Sequence, residues 1–539
     1  MNDAGLVEDP ELFVGLVGPI GVDLDAITKF LETAFTRVGY SVEKIHLTQL
    51  MKGMFPHWEV NEESYAQRYN SLIENADRLR EYVGRSDVLS CLAISEIQRV
   101  RQESNLKLFR KRSKYDIDDG KTENIAKESP LLGTVYIIRQ FKRPEEINLL
   151  RGVYGRKFIQ VSIFSDYSER KKQIIKRIKE FNVSDVTDSD AEKQAIDLIE
   201  KDNHEALEKY GQRISDVFHL GDVFVQGNST EESENIINRF VNAFFGHNGI
   251  SPNKNEYGMY AAAGAALRSL DLSRQVGAAI FSKQGEVVTL GCNEVPKPFG
   301  GTYWCDDPGE QHRDFEEGVD ENHSRKVRVL HDLVSRLGKL GYLSEELTRH
   351  GSSASQTKHI MEDPSISESR VMDLIEFGRI IHAEMSAITD AARLGRPLAD
   401  TTLYCTTFPC HMCAKHIVSS GVSRVVFLEP YPKSHAKDLH SDSITFASCE
   451  ADKKVLFEPF IGISPRRYRD IFEKKRRKDS EGKAVQWKMG RPVPCVEDRS
   501  SSYIENEAPA ITLMTAKLQD ILNQDDAKEN EDKSSDFED

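Results

Sequence analysis

One short pattern constrains the fold of this chain more than any other. His382 and Glu384 are separated by one residue, and further on Cys410 and Cys413 follow a proline with two residues between them. A Cys-x-x-Cys pair is a common metal-ligand spacing, and it needs further ligands from elsewhere in the chain. If His382 joins the two cysteines at one metal ion, segments about 30 residues apart in sequence must meet in the fold.

The hydrophobic periodicity around this pattern predicts how the segments meet. We expect a helix over 372–394 carrying the histidine and the glutamate, a strand over 402–406, and a helix over 410–420 that begins at the first cysteine. A helix N-terminus favours the thiolate form that a metal binds. The pattern therefore predicts a helix, strand and helix arranged around one metal site.

The residue types indicate catalysis at that site. His382, Cys410 and Cys413 give a zinc ion three protein ligands and leave a fourth position for water, as in catalytic zinc sites. Glu384 is close enough to take the water's proton, pass it to a ring nitrogen and later protonate a leaving ammonia. Together these residues form the signature of a zinc-dependent nucleobase deaminase.

Two other metal arrangements are open. A structural zinc knuckle would need two further cysteine or histidine ligands and would leave Glu384 without a role. A second zinc site is also conceivable at the long loop over 297–322, from Cys305, His312 and His323.

Length and charge limit the function classes. A chain of 539 residues is too long for one core and predicts two or three domains. The net charge of −15 disfavours a polynucleotide substrate but not a small nucleotide. Eight cysteines are too few for a disulfide scaffold, and we see neither a long apolar run nor a signal-peptide pattern. We therefore expect a cytoplasmic protein with no membrane partner.

The first domain, over 1–246, opens like a nucleotide-binding α/β unit. An apolar run over 11–18 predicts a strand, and a helical pattern over 24–38 follows a glycine-containing turn. The turn resembles a P-loop but lacks its lysine and its Ser/Thr, since Val22 and Asp23 follow Gly21. Gly18 and Gly21 are candidate contacts for a nucleoside triphosphate; the alternative is a plain strand-to-helix turn.

The rest of this domain alternates between strands and helices. Strands over 41–47, 133–139 and 158–164, with helices over 145–152 and 167–181, predict a parallel sheet with crossover helices. A charged helix over 188–210 is expected at the periphery. Basic residues stand near the ends of these elements, where phosphate contacts or plain surface charges are found: Arg139, Lys142, Arg143, Arg151 and Arg170.

The second domain is expected over 255–500. Strands over 276–281 and 287–291 follow an alanine-rich helix, and a polar link is expected over 351–356. Residues 501–539 are polar to acidic and are predicted to form a disordered tail.

The residues around the metal pattern resemble the deoxycytidylate deaminases. Residues 402–417 (TLYCTTFPCHMCAKHI) are similar to the zinc-binding half of that family, and 274–278 and 291–296 resemble its first strand and substrate loop. The resemblance implies that Asn293 contacts the deoxyribose and that Thr407 and Tyr431 lie near the substrate. Lys433 is a candidate phosphate contact.

A closer resemblance takes in both domains. The motif at 429–434 (EPYPKS), the long loop and the extra first domain are similar to the bacterial anti-phage dCTP deaminases. This resemblance implies an α/β fold with an N-terminal P-loop kinase-like parallel sheet domain and a C-terminal cytidine/deoxycytidylate deaminase-like α/β/α domain.

The same resemblance implies a function. One catalytic Zn²⁺ would serve the deamination of dCTP and dCMP to dUTP and dUMP, depleting dCTP during phage infection. Apart from the resemblance, we expect a homo-oligomer, and an inhibitory or sensing partner is left open and unidentified. The alternatives are a housekeeping dCMP deaminase for thymidylate supply, a polynucleotide cytosine deaminase, and a nucleotide-binding regulator with a vestigial deaminase half.

Overall fold

The chain is divided into two compact units. The computed structural model describes residues 9–55, 58–112, 119–181, 186–204, 214–227, 230–363, 366, 369–430, 434–474, 477–487, 492–496 and 501–518. The first unit comprises Met1–Pro252 and Ile461–Asp539, and the second comprises Asn253–Phe460.

In the described part of the chain, the strands form two six-stranded sheets. Numbered in chain order, they are β1 (Leu12–Val17), β2 (Ser41–His46), β3 (Thr134–Phe141), β4 (Phe158–Phe164), β5 (Val223–Gln226), β6 (Gly277–Phe281), β7 (Val287–Cys292), β8 (Thr402–Thr407), β9 (Arg424–Glu429), β10 (Ile444–Thr445), β11 (Val455–Pro459) and β12 (Gly462–Ile463).

The sheet of the first unit has the order β12-β5-β4-β1-β3-β2. Strands β1 to β5 are all parallel, and β12 adds an antiparallel edge beside β5. Strand β1 is continuously apolar and buried, and most residues of β3 and β4 are apolar and buried, as expected for a parallel sheet covered on both faces. The predicted parallel sheet is confirmed, whereas its kinase-like character remains a prediction.

Side chains of β1 alternate between two hydrophobic cores. Phe13 and Val17 face one core, and Leu12, Val14 and Leu16 face the other. The helices described for this unit are Leu24–Arg37, Leu47–Met54, Tyr65–Val83, Val88–Arg112, Asp119–Glu128, Pro144–Tyr154, Tyr167–Phe181, Asp188–His204, Ile214–Phe218, Thr230–Phe244, Tyr468–Phe472 and a C-terminal helix over 503–518.

One expectation for this unit is corrected, and several of its elements were not predicted. The helix Asp188–His204 is not peripheral, because Leu198 and Asp202 on it are buried; residues 205–213 lie outside the described ones. The helices between 47 and 128 and the strand β5 were not predicted.

The boundary of the second domain also differs from the prediction of 255–500. Residues after 460 return to the first unit, where β12 pairs with β5 and the Trp487 indole donates to the Phe245 carbonyl. The predicted disordered tail is wrong for 503–518, which form a helix with Tyr503, Met514 and Leu518 buried. Residues 519–539 lie outside the described part of the chain.

The sheet of the second unit has the order β10-β11-β9-β8-β6-β7. Strand β6 is antiparallel to both β7 and β8, whereas β8, β9, β11 and β10 run parallel. The described helices are Lys254–Ala266, Asp314–Glu317, Glu321–Lys339, Glu345–Thr348, Ser353–Glu362, Ala383–Arg393, His411–Ser420 and Ala436–Leu439.

Two glycines let helices approach this sheet closely. A Cβ at Gly277 would lie 2.0 Å from the Ala262 carbonyl oxygen, and one at Gly291 would lie 2.2 Å from that of Ala383. Only glycine leaves room for such backbone contacts. Gly291 thereby fixes the start of the helix that begins beside His382.

Two local predictions for this unit are wrong. The helix expected over 372–394 begins only at Ala383, because His382 has the extended backbone of an N-cap residue, with φ −66° and ψ 154°. The polar link expected over 351–356 contains the start of the helix Ser353–Glu362. A search of the described helices of both units finds none long and apolar enough to cross a membrane.

Candidate metal centre and pocket

Three of the predicted ligands come together at the ends of two helices. His382 is the N-cap of Ala383–Arg393, Cys410 is the N-cap of His411–Ser420, and Cys413 lies one turn further on. The His382 Nδ1 atom lies 3.3 Å from Cys410 Sγ and 3.4 Å from Cys413 Sγ. At a tetrahedral zinc ion the nitrogen and sulfur ligand atoms are separated by about 3.6 Å when Zn–N is about 2.1 Å and Zn–S about 2.3 Å. The donor set and its spacing therefore fit Zn²⁺.

The other proposed metal arrangements find no support. Among the described residues, the only group of three His, Cys, Asp or Glu donors that could hold a metal is His382, Cys410 and Cys413. Cys305, His312 and His323 do not converge, and His312 Nδ1 lies 2.8 Å from Glu317 Oε1 instead.

The electrostatics of the three ligands favour a thiolate. A hydrogen bond from Cys413 lowers the pKa of Cys410, and the bond between Cys410 and the imidazole raises the pKa of His382 to about 9. Cys410 Sγ also accepts the Cys413 backbone N–H at 3.4 Å, in the manner of a capping residue. The helix N-terminus thus stabilises the ionised sulfur, which is the form that coordinates metals.

Glu384 lies beside these ligands in the first turn of its helix. Its side chain is buried, with 4% of the residue exposed, and burial raises the pKa of its carboxyl group. Cys405 and Cys413 are among its interaction partners. A carboxyl group with a raised pKa is suited to both accepting and returning a proton.

A cavity of about 320 Å³ opens over the metal ligands. This volume suits a small ligand. Its walls come from the metal centre, the ends of the sheet strands and the long insertion between β7 and the helix Ala383–Arg393. The lining residues are Asp271, Leu272, Ser273, Arg274, Val276, Asn293, Asp314, Asp320, Asn322, Lys326, Met372, Asp373, Ile375, Gly378, Ile380, His382, Ala383, Glu384, Thr407, Phe408 and Cys410.

Asn293 lies on this wall, but its amide already has protein partners. Its Nδ2 donates to Asp271 Oδ2 at 2.9 Å and to the Arg274 carbonyl at 2.8 Å, and its Oδ1 accepts the Val276 N–H at 2.7 Å. Asn293 therefore holds the 271–276 segment against the cavity, in addition to the sugar contact predicted for it.

The other predicted substrate residues have mixed outcomes. Thr407 lines the cavity, and its hydroxyl donates to Glu429 Oε2 at 3.3 Å. Tyr431 and Lys433 lie outside the described residues, so their roles stay predictions.

Two cationic residues of the cavity had no predicted role there. Arg274 is 41% exposed and pairs with Glu429 Oε1 at 3.1 Å. Lys326, on the insertion helix Glu321–Lys339, donates to the Met372 carbonyl at 2.7 Å. Arg274 precedes β6 and Lys326 lies in the insertion, so tertiary folding brings the two side chains to one cavity, and no local sequence signal indicates that.

The glycine turn of the first unit is buried from residue 18 to residue 22. The Gly18 carbonyl accepts from Gln140 Nε2 at 2.7 Å and from Lys142 Nζ at 3.2 Å. Gly21 has φ +93°, and a Cβ there would lie 2.8 Å from the Arg170 carbonyl oxygen. The two glycines thus permit a tight turn against neighbouring elements.

The chain is similar to known proteins over part of its length. Residues 252–429, about a third of the chain, match the family described as "Cytidine and deoxycytidylate deaminase zinc-binding region". The deoxycytidylate deaminase of Enterobacteria phage T2 is 46% identical over 54 residues, which cover 10% of this chain and 29% of the relative. ComE operon protein 2 of Bacillus subtilis is 35% identical over 81 residues, covering 14% and 42%.

These alignments span less than half the length of either curated relative. Among solved structures, the dCMP deaminase of cyanophage S-TIM5 in apo form aligns with 39% of this chain and 99% of its own, at 17% identity and a TM-score of 0.21. The family match and the three converging ligands lead to one conclusion. The chain contains a zinc-binding region of the cytidine and deoxycytidylate deaminase type.

Proposed function

We propose that the second unit catalyses the zinc-dependent hydrolytic deamination of free deoxycytidine nucleotides, converting dCMP to dUMP and dCTP to dUTP. The observation that carries this proposal is the meeting of His382, Cys410 and Cys413 beside the buried Glu384 at one cavity. The similarity to proteins named deoxycytidylate deaminase supports a deoxycytidine nucleotide as the substrate.

The residues at the cavity would have different roles in the reaction. His382, Cys410 and Cys413 would hold Zn²⁺, which lowers the pKa of water and so supplies a nucleophile near neutral pH. Glu384 takes a proton from the attacking water and delivers it to N3 of the cytosine ring while the water oxygen bonds to C4. Glu384 then takes the proton of the new C4 hydroxyl and delivers it to the amino group. The C4–N bond breaks, ammonia leaves, and the C4 carbonyl of uracil forms.

The cations on the wall would receive the phosphate. Arg274 and Lys326 both line the cavity, where carboxylates otherwise predominate. A guanidinium binds phosphate oxygens in a bidentate manner, so we assign the main contact to Arg274. Arg274→Ala should raise the KM for dCMP and dCTP while leaving the turnover of unphosphorylated deoxycytidine unchanged. An equal loss for all three substrates would reject this assignment.

The central test compares substrates and variants. The purified protein is incubated with dCTP, dCMP, CTP and single-stranded DNA, and ammonia and uracil products are measured. Glu384→Ala should lose at least roughly 100-fold in rate, since it removes the general acid–base group. Glu362→Ala, which changes an exposed glutamate on a different helix, is the matched control. Equal rates in the two variants, or no conversion of any free nucleotide, would reject the proposal.

We further propose that the activity depletes dCTP as a defence against phage. The EPYPKS motif and the additional first unit support this role through the resemblance described above. Cells expressing the protein should show fewer phage plaques and a lower dCTP pool after infection, and Glu384→Ala should abolish both effects. A pool that falls equally without infection would contradict a defence role.

A housekeeping dCMP deaminase that supplies thymidylate is the second candidate. The names of the aligned relatives favour it. It predicts a high kcat/KM for dCMP and little conversion of dCTP. A polynucleotide substrate is less favoured, because the chain carries a net charge of −15.

Two further proposals concern binding and assembly. The turn with Gly18 and Gly21 would take the phosphates of a nucleoside triphosphate, and the chain would form a homo-oligomer. Light scattering coupled to gel filtration tests assembly, and a monomer at micromolar concentration would contradict it.

A further inference from the structure

The turn after β1 lies at the point of the sheet where the connections from neighbouring strands lead to opposite edges. From β1 the chain continues towards β2 at one edge of the sheet, whereas from the neighbouring β4 it continues towards β5 on the other side. In open parallel sheets, ligands bind in the crevice beyond the carboxyl ends of strands at such a point. Residues 18–22 occupy this position but are buried.

A carboxylate from a distant helix is bound at this turn. Asp202 Oδ2 accepts the Ile20 backbone N–H at 2.6 Å, and Asp202 Oδ1 accepts from Lys142 Nζ at 2.6 Å. Arg170 Nη2 lies 3.6 Å from Asp202 Oδ2. A backbone amide and two cations converging on one anion form the kind of donor set that binds phosphate oxygens.

The Asp202 carboxylate leaves one of the hydrogen-bond donors around it without an acceptor. Lys142 and Arg170 are each 7% exposed, and both face Asp202. The Nη2 atom of Arg170 is buried and has no hydrogen-bond partner among the described residues. An unsatisfied buried guanidinium donor is costly, and an oxyanion with more oxygens and more charge would satisfy it.

The helix that bears Asp202 is held at the turn by apolar contacts as well. Ile20 belongs to one buried cluster with Ala191, Leu198 and Ile199 of Asp188–His204 and with Ile174 of the preceding helix. Displacement of Asp202 would therefore also loosen this helix.

We propose that Asp202 is an internal anion that closes a phosphate site at the turn after β1, and that the phosphates of a nucleotide bind there by displacing it. The inference rests on the proposed binding of a nucleoside triphosphate to the turn and assigns its regulation. Binding opens the contact between Asp202 and Ile20, so the site couples nucleotide binding to release of the helix Asp188–His204.

The experiment measures binding of inorganic tripolyphosphate and of ATP to the full chain by isothermal titration calorimetry. Asp202→Asn keeps the side-chain volume but removes the competing charge, and it should bind both probes at least tenfold more tightly than the unmodified protein. Asp197→Asn, an exposed position on the same helix, is the control and should leave affinity unchanged. Adding Lys142→Gln to Asp202→Asn should remove the gain.

A measurement on the unmodified protein keeps the test independent of how the variants fold. Saturating tripolyphosphate should increase hydrogen exchange in the helix Asp188–His204 at least threefold. Unchanged exchange, or equal affinity of Asp202→Asn and the unmodified protein for tripolyphosphate, would overturn the inference. Tripolyphosphate binding without ATP binding would support the Asp202 site while rejecting the nucleotide proposal. Equally tight ATP binding with and without Asp202 would support the nucleotide proposal and reject the inference.

Discussion

A buried ionic network joins the C-terminal helix over 503–518 to the core of the first unit. The guanidinium of Arg101 lies between Glu11 and Glu507, and none of the three side chains is exposed. Its Nη1 and Nη2 atoms donate to Glu507 at 2.7 and 2.8 Å, and its Nε donates to Glu11 Oε1 at 3.0 Å. Three tyrosine hydroxyls also donate to these carboxylates, those of Tyr136, Tyr154 and Tyr503.

Replacing Glu507 by alanine should destabilise the first unit strongly. The change removes two charge-assisted hydrogen bonds to Arg101 and leaves Tyr154 and Gln98 without their acceptor. Removing one partner of a buried ion pair costs about 3–5 kcal/mol. Because Glu11 still opposes Arg101, we expect the lower part of this range, about 3–4 kcal/mol.

Differential scanning calorimetry measures this effect. The transition of the first unit should shift down by roughly 6–16 °C, taking about 2–4 °C per kcal/mol. Glu505→Ala, an exposed glutamate two residues earlier, is the matched control and should change stability by no more than about 0.5 kcal/mol. Equal shifts in both variants would show that the network contributes nothing, and the structural argument for docking of the C-terminal helix would be wrong.

Three shorter predictions concern pH, packing and metal binding. Burial raises the pKa of Tyr503, so its contribution to stability is present below the unfolded pKa of about 10 and is lost as the pH rises above it. In urea titrations from pH 9 to 11, Tyr503→Phe should lessen the total fall in unfolding free energy over that range by about 1.4 kcal/mol. Parallel curves for the variant and the unmodified protein would contradict this. Gly291→Ala forces a Cβ against the helix beside the metal ligands and should cost about 1–3 kcal/mol in stability and roughly 100-fold in deamination rate. The control Gly264→Ala lies in the helix Lys254–Ala266 with open space around it, so it should leave the rate unchanged and stabilise by at most about 1 kcal/mol. Cys410→Ser should reduce the zinc bound per chain to roughly one tenth, as measured by plasma mass spectrometry. The control Cys449→Ser changes an exposed cysteine and should keep its full zinc content. Full zinc content in both variants would reject Cys410 as a ligand.

The candidate metal ligands could be predicted from the sequence because they follow short, local sequence patterns. Cys410 and Cys413 are one helical turn apart, and a His-x-Glu pair beside a helix start places both side chains at one end of that helix. The residues of the cavity walls could not be predicted in this way. Arg274 precedes β6, whereas Asn322 and Lys326 lie on the helix Glu321–Lys339, and only tertiary folding brings these two segments to the metal ligands.

The same distinction holds for the fold. The bounds of β1, β4 and the helix Tyr167–Phe181 were predicted nearly residue for residue. Continuous apolar runs indicate strands buried on both faces, and helical periodicity indicates helices, and both patterns can be recognised in short stretches of sequence. The helix Tyr65–Val83 was missed, and the helix beside His382 was extended too far. At these two helices, tertiary packing and N-terminal capping determine where the helix forms and begins, which the local sequence pattern does not specify.

By itself, the sequence identified the three candidate zinc ligands, the parallel sheet of the first unit and the positions of several strands, because hydrophobic period and ligand spacing act over a few residues. Only the tertiary structure decided that residues after 460 return to the first unit, that Glu507 pairs with Arg101, and that Asp202 meets Ile20 at the turn after β1. The physical reason is that a buried charge needs a partner of opposite charge or a hydrogen-bond donor, and the choice among many distant candidates depends on the packing of the whole unit.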